Sequence, residues 1–357
     1  MYAVINGELA HGLVPYRDFL FEYPPLALAP IGLPHLAGGS YAVWLGVEMG
    51  LALLVVQACV GKLAGRGAAW LFVLAPVLIG AQVRTHFDAV PAALVLGALA
   101  LLARERPRAT GGMVLLALGG LTKLFPLLLV PVAAVWLHGR GQARTAVRGT
   151  LACAAVVAVG IAPFLVTGGL QDMVSFHLQR PLQVESTAAS VVLLAGDPVI
   201  TGTQLHPDRF KSNGVRDPLT APALGACLAL AVALIALAIA AARRSPAPDH
   251  LRRCALLALL AFVALGKVLS PQYVIWLAPF AALAWARREW VVAVCLTAAV
   301  GLTQAWFPDG YFDLINRHPT EVWLVAARNA LLLTALAATA VAVARSTPPV
   351  AVPARSG

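Results

Sequence analysis

Long apolar stretches alternate with short polar segments along almost the whole chain. A helix of about 20 residues crosses a bilayer, and nine stretches reach or approach that length: 41–61, 68–83, 88–103, 147–166, 219–242, 251–269, 272–286, 290–306 and 321–344. This pattern predicts an all-α polytopic integral membrane protein of about nine spans. No internal repeat is visible, and we interpret 1–357 as a single membrane domain.

A tenth apolar stretch, 110–137, is interrupted by Lys123 and Pro126. Arginines flank it on both sides, and short cytoplasmic loops are enriched in Lys and Arg. The flanking residues are Arg104, Arg106, Arg108, Arg140, Arg144 and Arg148. Both flanks are therefore expected on the same side of the membrane. The stretch is predicted to be a re-entrant hairpin of two short helices, which is tolerated only where protein surrounds it.

The composition agrees with a membrane protein and argues against a water-soluble one. Of the 357 residues, 60% are hydrophobic and only 12% are charged, far from the usual balance of a soluble domain. The formal charge of +10 comes from short basic clusters between apolar stretches, so nucleic acid is not an expected partner. The five cysteines form no CxxC pair and have no histidine at ligand spacing, so we expect no disulfide, metal or cofactor.

The basic clusters also predict the orientation. With 62–66, 104–108, 140–148, 243–253, 287–288 and the C-terminal tail inside, 16 of the 26 Lys and Arg residues become cytoplasmic. Twelve of the 16 carboxylates then lie outside, although Asp and Glu contribute little to orientation. A catalytic or binding role explains this excess of outer carboxylates better than topology does. The outer segments are a first loop with short helices, 1–40, the turn 84–88 and a long loop, 167–218.

The first outer segment contains two candidate catalytic carboxylates. Asp18 and Glu22 lie four residues apart, among aromatic side chains that include Tyr16 and Tyr23. On a helical turn both carboxylates would share one face, where a general base could meet a membrane-borne substrate. Asp18 is the first choice and Glu22 the second. In the alternative interpretation, the aromatic rings anchor the loop at the interface and Arg17 pairs with one of the carboxylates.

A second group surrounds the break in the re-entrant stretch. Arg84, His86 and Asp88 follow the second predicted span, and Lys123 lies within an apolar run. Lysine at that depth normally faces a cavity, a partner or an anion. One interpretation makes Lys123 a ligand of an anionic substrate. The alternative is an ion pair between Lys123 and Asp88.

The long outer loop contains a third group, in which His177 and Arg180 are three residues apart and Glu185 follows. His177 and Arg180 could meet one ligand from the same helical face. A lone histidine in a loop is more often solvated or a cap. His177 becomes a candidate because Arg180 and Glu185 accompany it.

A fourth group lies between two spans. Lys267 precedes a predicted helix start in which Ser270 is the N-cap and Pro271 occupies the first turn, followed by Gln272 and Tyr273. Helix N-termini with free backbone N–H groups attract phosphate. In the alternative interpretation, Lys267 is a snorkelling lysine on a turn.

Arg328 lies about two turns into the last span from its outer end, and an arginine at that depth is rarely without a partner. It completes a set of five cations on the outer side, where the positive-inside rule would not place them. The set is Arg84, Lys123, Arg180, Lys267 and Arg328. A cavity that gathers these cations suits a lipid phosphate or pyrophosphate.

Residues 12–19, 22–25, 123–126, 177–186 and 267–273 resemble the polyprenyl-phosphate-sugar-dependent membrane glycosyltransferases of the GT-C fold. The similarity is closest to the bacterial alpha-mannosyltransferase-like branch, glycosyltransferase family 87. The resemblance implies transfer of a sugar such as mannose, with inversion, from a polyprenyl-phosphate donor to a glycan or glycolipid acceptor. It places the active site on the extracytoplasmic face of the cell membrane.

The resemblance also implies roles for individual residues. An acid in the first outer loop, Asp18 or Glu22, removes the proton of the acceptor. The donor phosphate is bound by Arg84, Lys123, His177, Arg180, Lys267 and Arg328. The remaining substrate contacts are Tyr16, Tyr23, His86, Asp88, Glu185, Gln272 and Tyr273.

One feature departs from the family pattern. Similar proteins have an aspartate a few residues before the position of Tyr2, and one more span ahead of it, which here would precede Met1. We therefore expect that the chain starts late.

Two other functions remain open. A transporter or flippase of lipid-linked sugars would also need intramembrane charges and broken helices, but transporters concentrate them near the midplane and often in two related halves. A noncatalytic scaffold would have few polar residues at the ends of its spans and no long outer loop. The polar residues of this chain gather at one face.

Overall fold

The computed structural model describes residues 2–165, 170–202 and 213–346, except for the side chain of Ala3. The N-terminal part contains α1 (Tyr2–Ala10), a 3-10 helix (Pro25–Ala27), α2 (Leu28–Leu36), α3 (Tyr41–Ala64), α4 (Arg66–Phe72), α5 (Ala75–Ile79), α6 (Gln82–Thr85) and α7 (Ala89–Leu102). The central part contains α8 (Ala109–Thr122), a 3-10 helix (Phe125–Leu128), α9 (Leu129–Gly139), α10 (Ala143–Leu165), α11 (Leu170–Gln179) and α12 (Thr187–Ala195).

The C-terminal part contains α13 (Thr220–Ala241), a 3-10 helix (Ala242–Arg244), α14 (Pro248–Leu265), a 3-10 helix (Pro271–Tyr273), α15 (Val274–Ala286), α16 (Trp290–Trp306), α17 (Tyr311–Ile315) and α18 (Pro319–Ala344). A small sheet interrupts this helical pattern. Its strands are β1 (Leu182–Gln183), β2 (Val199–Thr201) and β3 (Gly214–Arg216), and β3 lies between β1 and β2, antiparallel to both.

The prediction of an all-α polytopic membrane protein is confirmed. Among the described residues, four helices are long and apolar enough to cross a bilayer: Tyr41–Ala64, Ala143–Leu165, Thr220–Arg244 and Pro319–Ala344. They expose large apolar side chains such as Leu51, Val159 and Val232, which water would not cover favourably and lipid would. The other predicted spans fall on shorter helices, so the count of nine crossings stays a prediction.

The predicted span 68–83 is not one continuous helix. It divides into α4 and α5, with Pro76 in the first turn of α5 and Gly80 at its end in a left-handed conformation. Proline has no backbone N–H to donate and so interrupts the helical hydrogen bonds. This interruption lets the chain turn just before His86 and Asp88.

The stretch predicted to be a re-entrant hairpin contains two short helices, α8 and α9, and its re-entrant course stays a prediction. Gly149 and Gly160 of α10 pack against Met113 and Leu121 of α8, respectively, so α8 and α10 run in the same direction. The intervening α9 must therefore return to the end at which α8 began. At 1.5 Å per residue, α8 is only about 21 Å long, and Lys123 lies at its tip in an extended conformation.

The basic loops meet at one end of the helices. The guanidinium of Arg140 donates to the carbonyl of Pro246 at 2.6 Å, and that of Arg287 donates to the carbonyl of Leu63 at 2.9 Å. Arg252 and Arg253 both donate to Glu289. These contacts join loops that the charge pattern placed on one side of the membrane.

The buried apolar side chains form two cores. The larger runs from Tyr2 to Val343 and includes nearly all the helices. The smaller lies beneath the sheet and is formed by residues such as Val184, Val215 and Trp306. The described parts of the long outer loop, 170–202 and 213–218, therefore pack well enough to fix side chains in place.

Candidate active site

Lys123 lies in a buried ion pair. Its ammonium nitrogen is 2.6 Å from Oδ1 of Asp88, and the side chains of Lys123 and Asp88 are 11% and 0% exposed. Oδ2 of Asp88 is buried without a hydrogen-bond partner among the described residues. The ion pair that was the alternative interpretation of these two residues is therefore present.

Four aromatic rings surround the Lys123 ammonium, and we call them the aromatic cage. The distances from Nζ to the ring centroids are 5.0 Å for Phe87, 5.3 Å for Trp276, and 5.8 Å for both Tyr23 and Tyr273. Aromatic faces attract cations within about 6 Å. The cage therefore attracts the ammonium of Lys123 from four sides.

Trp276 joins the cage to the ion pair. Its ring stacks on Phe125 and Tyr273, with centroid distances of 3.9 Å and 4.0 Å. Its Nε1–H donates to Oδ1 of Asp88 at 2.8 Å. Asp88 therefore remains tied to α15 through Trp276, independently of Lys123.

Tyr2 and His86 form one wall beside the cage. The buried Tyr2 ring lies 5.6 Å from Phe87, 6.3 Å from Tyr23 and 6.4 Å from His86. Burial lowers the pKa of His86 to about 4. His86 is therefore neutral at physiological pH and can form hydrogen bonds without adding a positive charge.

Tyr16 acts as an anchor of the first outer loop. Its hydroxyl donates to the carbonyl of Tyr23, and its ring meets Phe21 and Phe164 edge to face at 5.4 Å and 5.2 Å. The residue has a φ of 67°, a left-handed conformation that is costly for a bulky side chain and needs such contacts. Tyr16 thus fixes the backbone of Tyr23 beside the cage.

The two carboxylates of the first outer loop lie in different surroundings. Asp18 accepts two hydrogen bonds from Arg17 and one from the backbone N–H of Val14. These contacts lower the pKa of Asp18 to about 2, with the Arg17 hydrogen bond first among the causes. Glu22 is half-buried. Burial first, and the charge of Glu22 second, raise the pKa of Tyr23, which places Glu22 close to the cage.

The long outer loop packs directly on this region. The Nε2 atom of His177 lies 2.9 Å from the carbonyl oxygen of Glu22, to which it donates. Burial lowers the pKa of His177. His177 therefore connects α11 to the first outer loop.

Lys267 and Arg180 lie near each other on the same side. Lys267 donates to the carbonyl of Leu178 at 2.9 Å, and burial followed by the charge of Arg180 lowers the pKa of Lys267. The Arg180 guanidinium lies over the ring of Phe176. The side-chain amide of Gln183 donates to Ser270 at 3.1 Å and so connects this cluster to the residue that precedes the 3-10 helix Pro271–Tyr273.

Glu185 and Arg328 are almost inaccessible. The carbonyl of Glu185 accepts hydrogen bonds from Arg328 at 2.8 Å and from Asn329 at 3.1 Å. Burial raises the pKa of the Glu185 carboxyl to about 7. Arg328 is 0% exposed, so α18 uses it to hold the backbone of the long outer loop.

The predicted site residues thus divide by their surroundings. Lys123, Asp88, Tyr23, Tyr273 and His86 meet at the cage. Glu22, His177, Arg180 and Lys267 lie in the loops that pack beside it. Gln272 is half-buried in the turn next to Tyr273.

Arg84 lies apart from these contacts. Its side chain is exposed, and its Cβ atom lies beside Gly46 of α3. It makes no hydrogen bond or ion pair within the part of the chain that the structure describes.

Sequence reasoning missed Trp276 and the two phenylalanines, Phe87 and Phe125. All three lie within three residues of a predicted site residue. The indole N–H of Trp276 within an apolar stretch was a usable signal, since a buried Trp N–H usually finds an acceptor. The phenylalanines gave no comparable signal. Within residues 2–165, 170–202 and 213–346, no three His, Cys, Asp or Glu side chains lie close enough together to hold a metal ion.

An apolar groove of about 460 Å³ runs along the outer face of the hairpin. Its walls come from the first outer loop, α8 and α10. It is lined by Pro25, Leu26, Leu118, Leu121, Ala155, Val156, Val159, Gly160 and Phe164. Because Leu121 is two residues before Lys123 and Pro25 two residues after Tyr23, the groove leads towards the cage.

The site thus combines a short helical hairpin with a charged tip, an apolar groove along the hairpin and the described part of the long outer loop. The pattern of glycosyltransferase family 87 matches residues 21–271. This range includes Lys123, the Tyr23 and Phe87 rings of the cage, the hairpin and the long outer loop, and it ends before Tyr273 and Trp276. The chain therefore belongs to glycosyltransferase family 87 and is a membrane glycosyltransferase. No curated protein matches the chain at a significant level.

Proposed function

We propose that the enzyme transfers a sugar, mannose in the simplest case, from a polyprenyl-phosphate donor to a glycan or glycolipid acceptor. The transfer takes place on the extracytoplasmic face of the cell membrane. The observation that supports this proposal best is the position of Lys123 at the tip of a hairpin whose flank forms an apolar groove. A lipid phosphate has the matching shape, with one anionic head and one apolar tail.

The groove would take the isoprenoid tail. Leu118, Leu121, Val156 and Val159 offer only apolar atoms to it, and burial of such a tail gains about 0.8 kcal/mol per CH₂ group. The tail would bring the phosphate to the end of the groove at which Lys123 lies. The loop cations Arg180 and Lys267 would bind the phosphate oxygens that face the loop.

The proposed reaction is a single displacement. The acceptor hydroxyl oxygen attacks the anomeric carbon as its proton passes to a carboxylate. The bond from that carbon to the phosphate oxygen breaks, and the phosphate leaves with the electron pair while the cations stabilise its charge. Attack from the face opposite the phosphate inverts the anomeric centre.

In this proposal Glu22 is the carboxylate that accepts the proton of the acceptor hydroxyl. Asp18 is held by Arg17 and Val14 and has a low pKa of about 2, so it binds a proton weakly and instead braces the loop. Glu22 is half-buried and lies next to Tyr23 in the cage. It can therefore reach an acceptor placed beside the donor phosphate.

The orientation follows from the basic end of the helices. Since short cytoplasmic loops are rich in Lys and Arg, the end that contains Arg140, Arg252 and Arg287 would face the cytoplasm. The cage and the long outer loop would then face outwards. Protein labelling tests this directly, because a cysteine placed at Gly141 should be protected from membrane-impermeant reagents in intact cells.

Membranes that contain the enzyme should incorporate label from polyprenyl-phosphate-[¹⁴C]mannose into a glycan or glycolipid fraction. Incorporation without an ion gradient supports a transferase over a lipid-linked sugar transporter or flippase. Incorporation from a nucleotide-sugar alone, in membranes depleted of polyprenyl phosphate, would contradict the proposed donor.

A further inference from the structure

The buried pair of Lys123 and Asp88 conflicts with a simple phosphate site. A lysine that already has a carboxylate 2.6 Å from its nitrogen offers a second anion little net attraction. If Asp88 kept its place when the donor arrived, a carboxylate and a phosphate would share one ammonium in a site of low dielectric, where like charges repel strongly. One of the two anions must give way.

We propose that Asp88 is an internal counter-ion that holds Lys123 in the empty site and yields it to the donor phosphate. This inference rests on the proposed function, because it takes the entering anion to be the phosphate of a lipid-linked sugar. Asp88 acts on the reaction through Lys123, so it is a positioning residue.

Three contacts allow this exchange. Trp276 donates its Nε1–H to Oδ1 of Asp88, so the carboxylate keeps one partner when Lys123 leaves it. Oδ2 of Asp88 has no partner within the described residues, so the pair is held by a single oxygen. The four rings of the aromatic cage lie 5.0 to 5.8 Å from Nζ and attract the ammonium throughout the exchange.

The exchange also gives the leaving phosphate a way out. After transfer the product is a polyprenyl phosphate, which carries more negative charge than the phosphodiester donor and would bind Lys123 more tightly. Asp88, still held by Trp276 a short distance away, competes for the same ammonium and promotes release. Without Asp88, the product should remain bound.

Binding of farnesyl phosphate to the purified full-length chain in nanodiscs tests the proposal, with farnesol as the uncharged control. Asp88→Asn keeps the shape and an acceptor for Trp276 but removes the competing charge. It should tighten farnesyl phosphate binding about tenfold or more, since hydrogen bonds to charged groups are the strong ones, and lower kcat through slow product release. Asp172→Asn removes an exposed carboxylate of α11 and should change neither.

Two further variants separate this exchange from a static support. Lys123→Met should weaken farnesyl phosphate binding. Adding Asp88→Asn to it should tighten binding much less than Asp88→Asn does in the wild-type chain, because only the repulsion between the two anions is then relieved. Trp276→Phe keeps the stacked ring but removes the bond that holds Asp88 after the exchange, so it should weaken binding about threefold. This variant also serves if Asp88→Asn does not fold.

If Asp88→Asn weakens binding as much as Lys123→Met does, Asp88 is a fixed support and the proposal is overturned. If no variant changes binding while the wild-type chain transfers sugar, the phosphate binds elsewhere and only this inference fails. If Asp88→Asn tightens binding but the wild-type chain transfers no sugar from any polyprenyl-phosphate donor, the counter-ion role stands and the proposed function fails.

Discussion

The ammonium of Lys123 lies 2.6 Å from Asp88, a residue 35 positions earlier in the chain, and this contact joins the tip of the helical hairpin to the start of α7. The ion pair stabilises the positive charge of Lys123 within an otherwise apolar part of the fold. Aromatic rings lie around the ammonium, and an apolar groove leads towards it.

Lys123→Met should lower kcat/KM for the lipid-linked donor by about a hundredfold or more, the usual effect of removing one group that stabilises a developing charge. Lys62→Met is the matched control, since Lys62 is exposed at the opposite end of α3. A steady-state assay with labelled donor measures both variants. Equal activity of Lys123→Met and the control would show that Lys123 does not bind the donor phosphate.

Glu22→Gln should lower kcat about a hundredfold or more, because the acceptor proton would have no carboxylate to receive it. Asp18→Asn should reduce kcat only a few-fold, by loosening the loop that Arg17 and Val14 brace through it. Single-turnover rates at saturating donor compare the two variants. A larger loss in Asp18→Asn would return the base role to Asp18.

Glu185→Gln should change the pH dependence of stability. Burial raises the pKa of Glu185 to about 7, so the folded chain holds this proton where the unfolded chain has lost it. Stability should therefore fall as the pH rises from about 4.5 to about 7, by about 3 kcal/mol in total for this group. Thermal melting in detergent should show Glu185→Gln equal to wild type at pH 4.5 and more stable at pH 8. Parallel curves at all pH values would contradict this.

Glu289→Gln should destabilise the end of the fold at which the basic loops meet by about 3 kcal/mol, because breaking a buried ion pair leaves a charge uncompensated. Glu289 accepts from Arg252 at 2.5 Å and from Arg253 at 2.6 Å, and the Arg252 side chain is only 4% exposed. Glu105→Gln, in an exposed loop at the same end, is the control for the loss of one charge. Similar melting temperatures for both variants would show that the pair adds nothing.

Val159→Trp should narrow the apolar groove and raise KM for a long-chain donor about tenfold, while a donor with a three-isoprene tail should be much less affected. Val159 is exposed and lines the groove. Val147→Trp places the same ring on an exposed position of α10 that does not line the groove. If both variants bind long donors equally well, the tail lies elsewhere.

The sequence predicted the hairpin because Lys123 and Pro126 break an apolar stretch between two sets of arginines. Each of those signals is local and has a direct physical cause. The sequence could not predict which rings would surround Lys123. Tyr23, Phe87 and Trp276 come from three distant segments, and only the packing of the first outer loop, α7 and α15 brings them together.

The sequence also could not predict how deeply each of the two cations is buried or which group it contacts. Arg328 and Lys123 both read as intramembrane cations, yet Arg328 is fully buried against the backbone of Glu185 and Lys123 retains a small exposed area. A cation within an apolar stretch, as at both positions, is expected to be buried with a partner. The partner, a backbone carbonyl in one case and a carboxylate in the other, depends on tertiary contacts.

The central claim is transfer of a sugar from a lipid phosphate, and the purified chain in detergent tests it most directly, since detergent leaves no sealed compartment for transport. With polyprenyl-phosphate-[¹⁴C]mannose and an acceptor glycolipid, the wild-type chain should form a labelled product of inverted anomeric configuration, and Lys123→Met should form at most about 1% as much. Absence of any labelled product from the wild-type chain with each lipid-phosphate sugar and acceptor supplied, or equal product from Lys123→Met, would contradict the account.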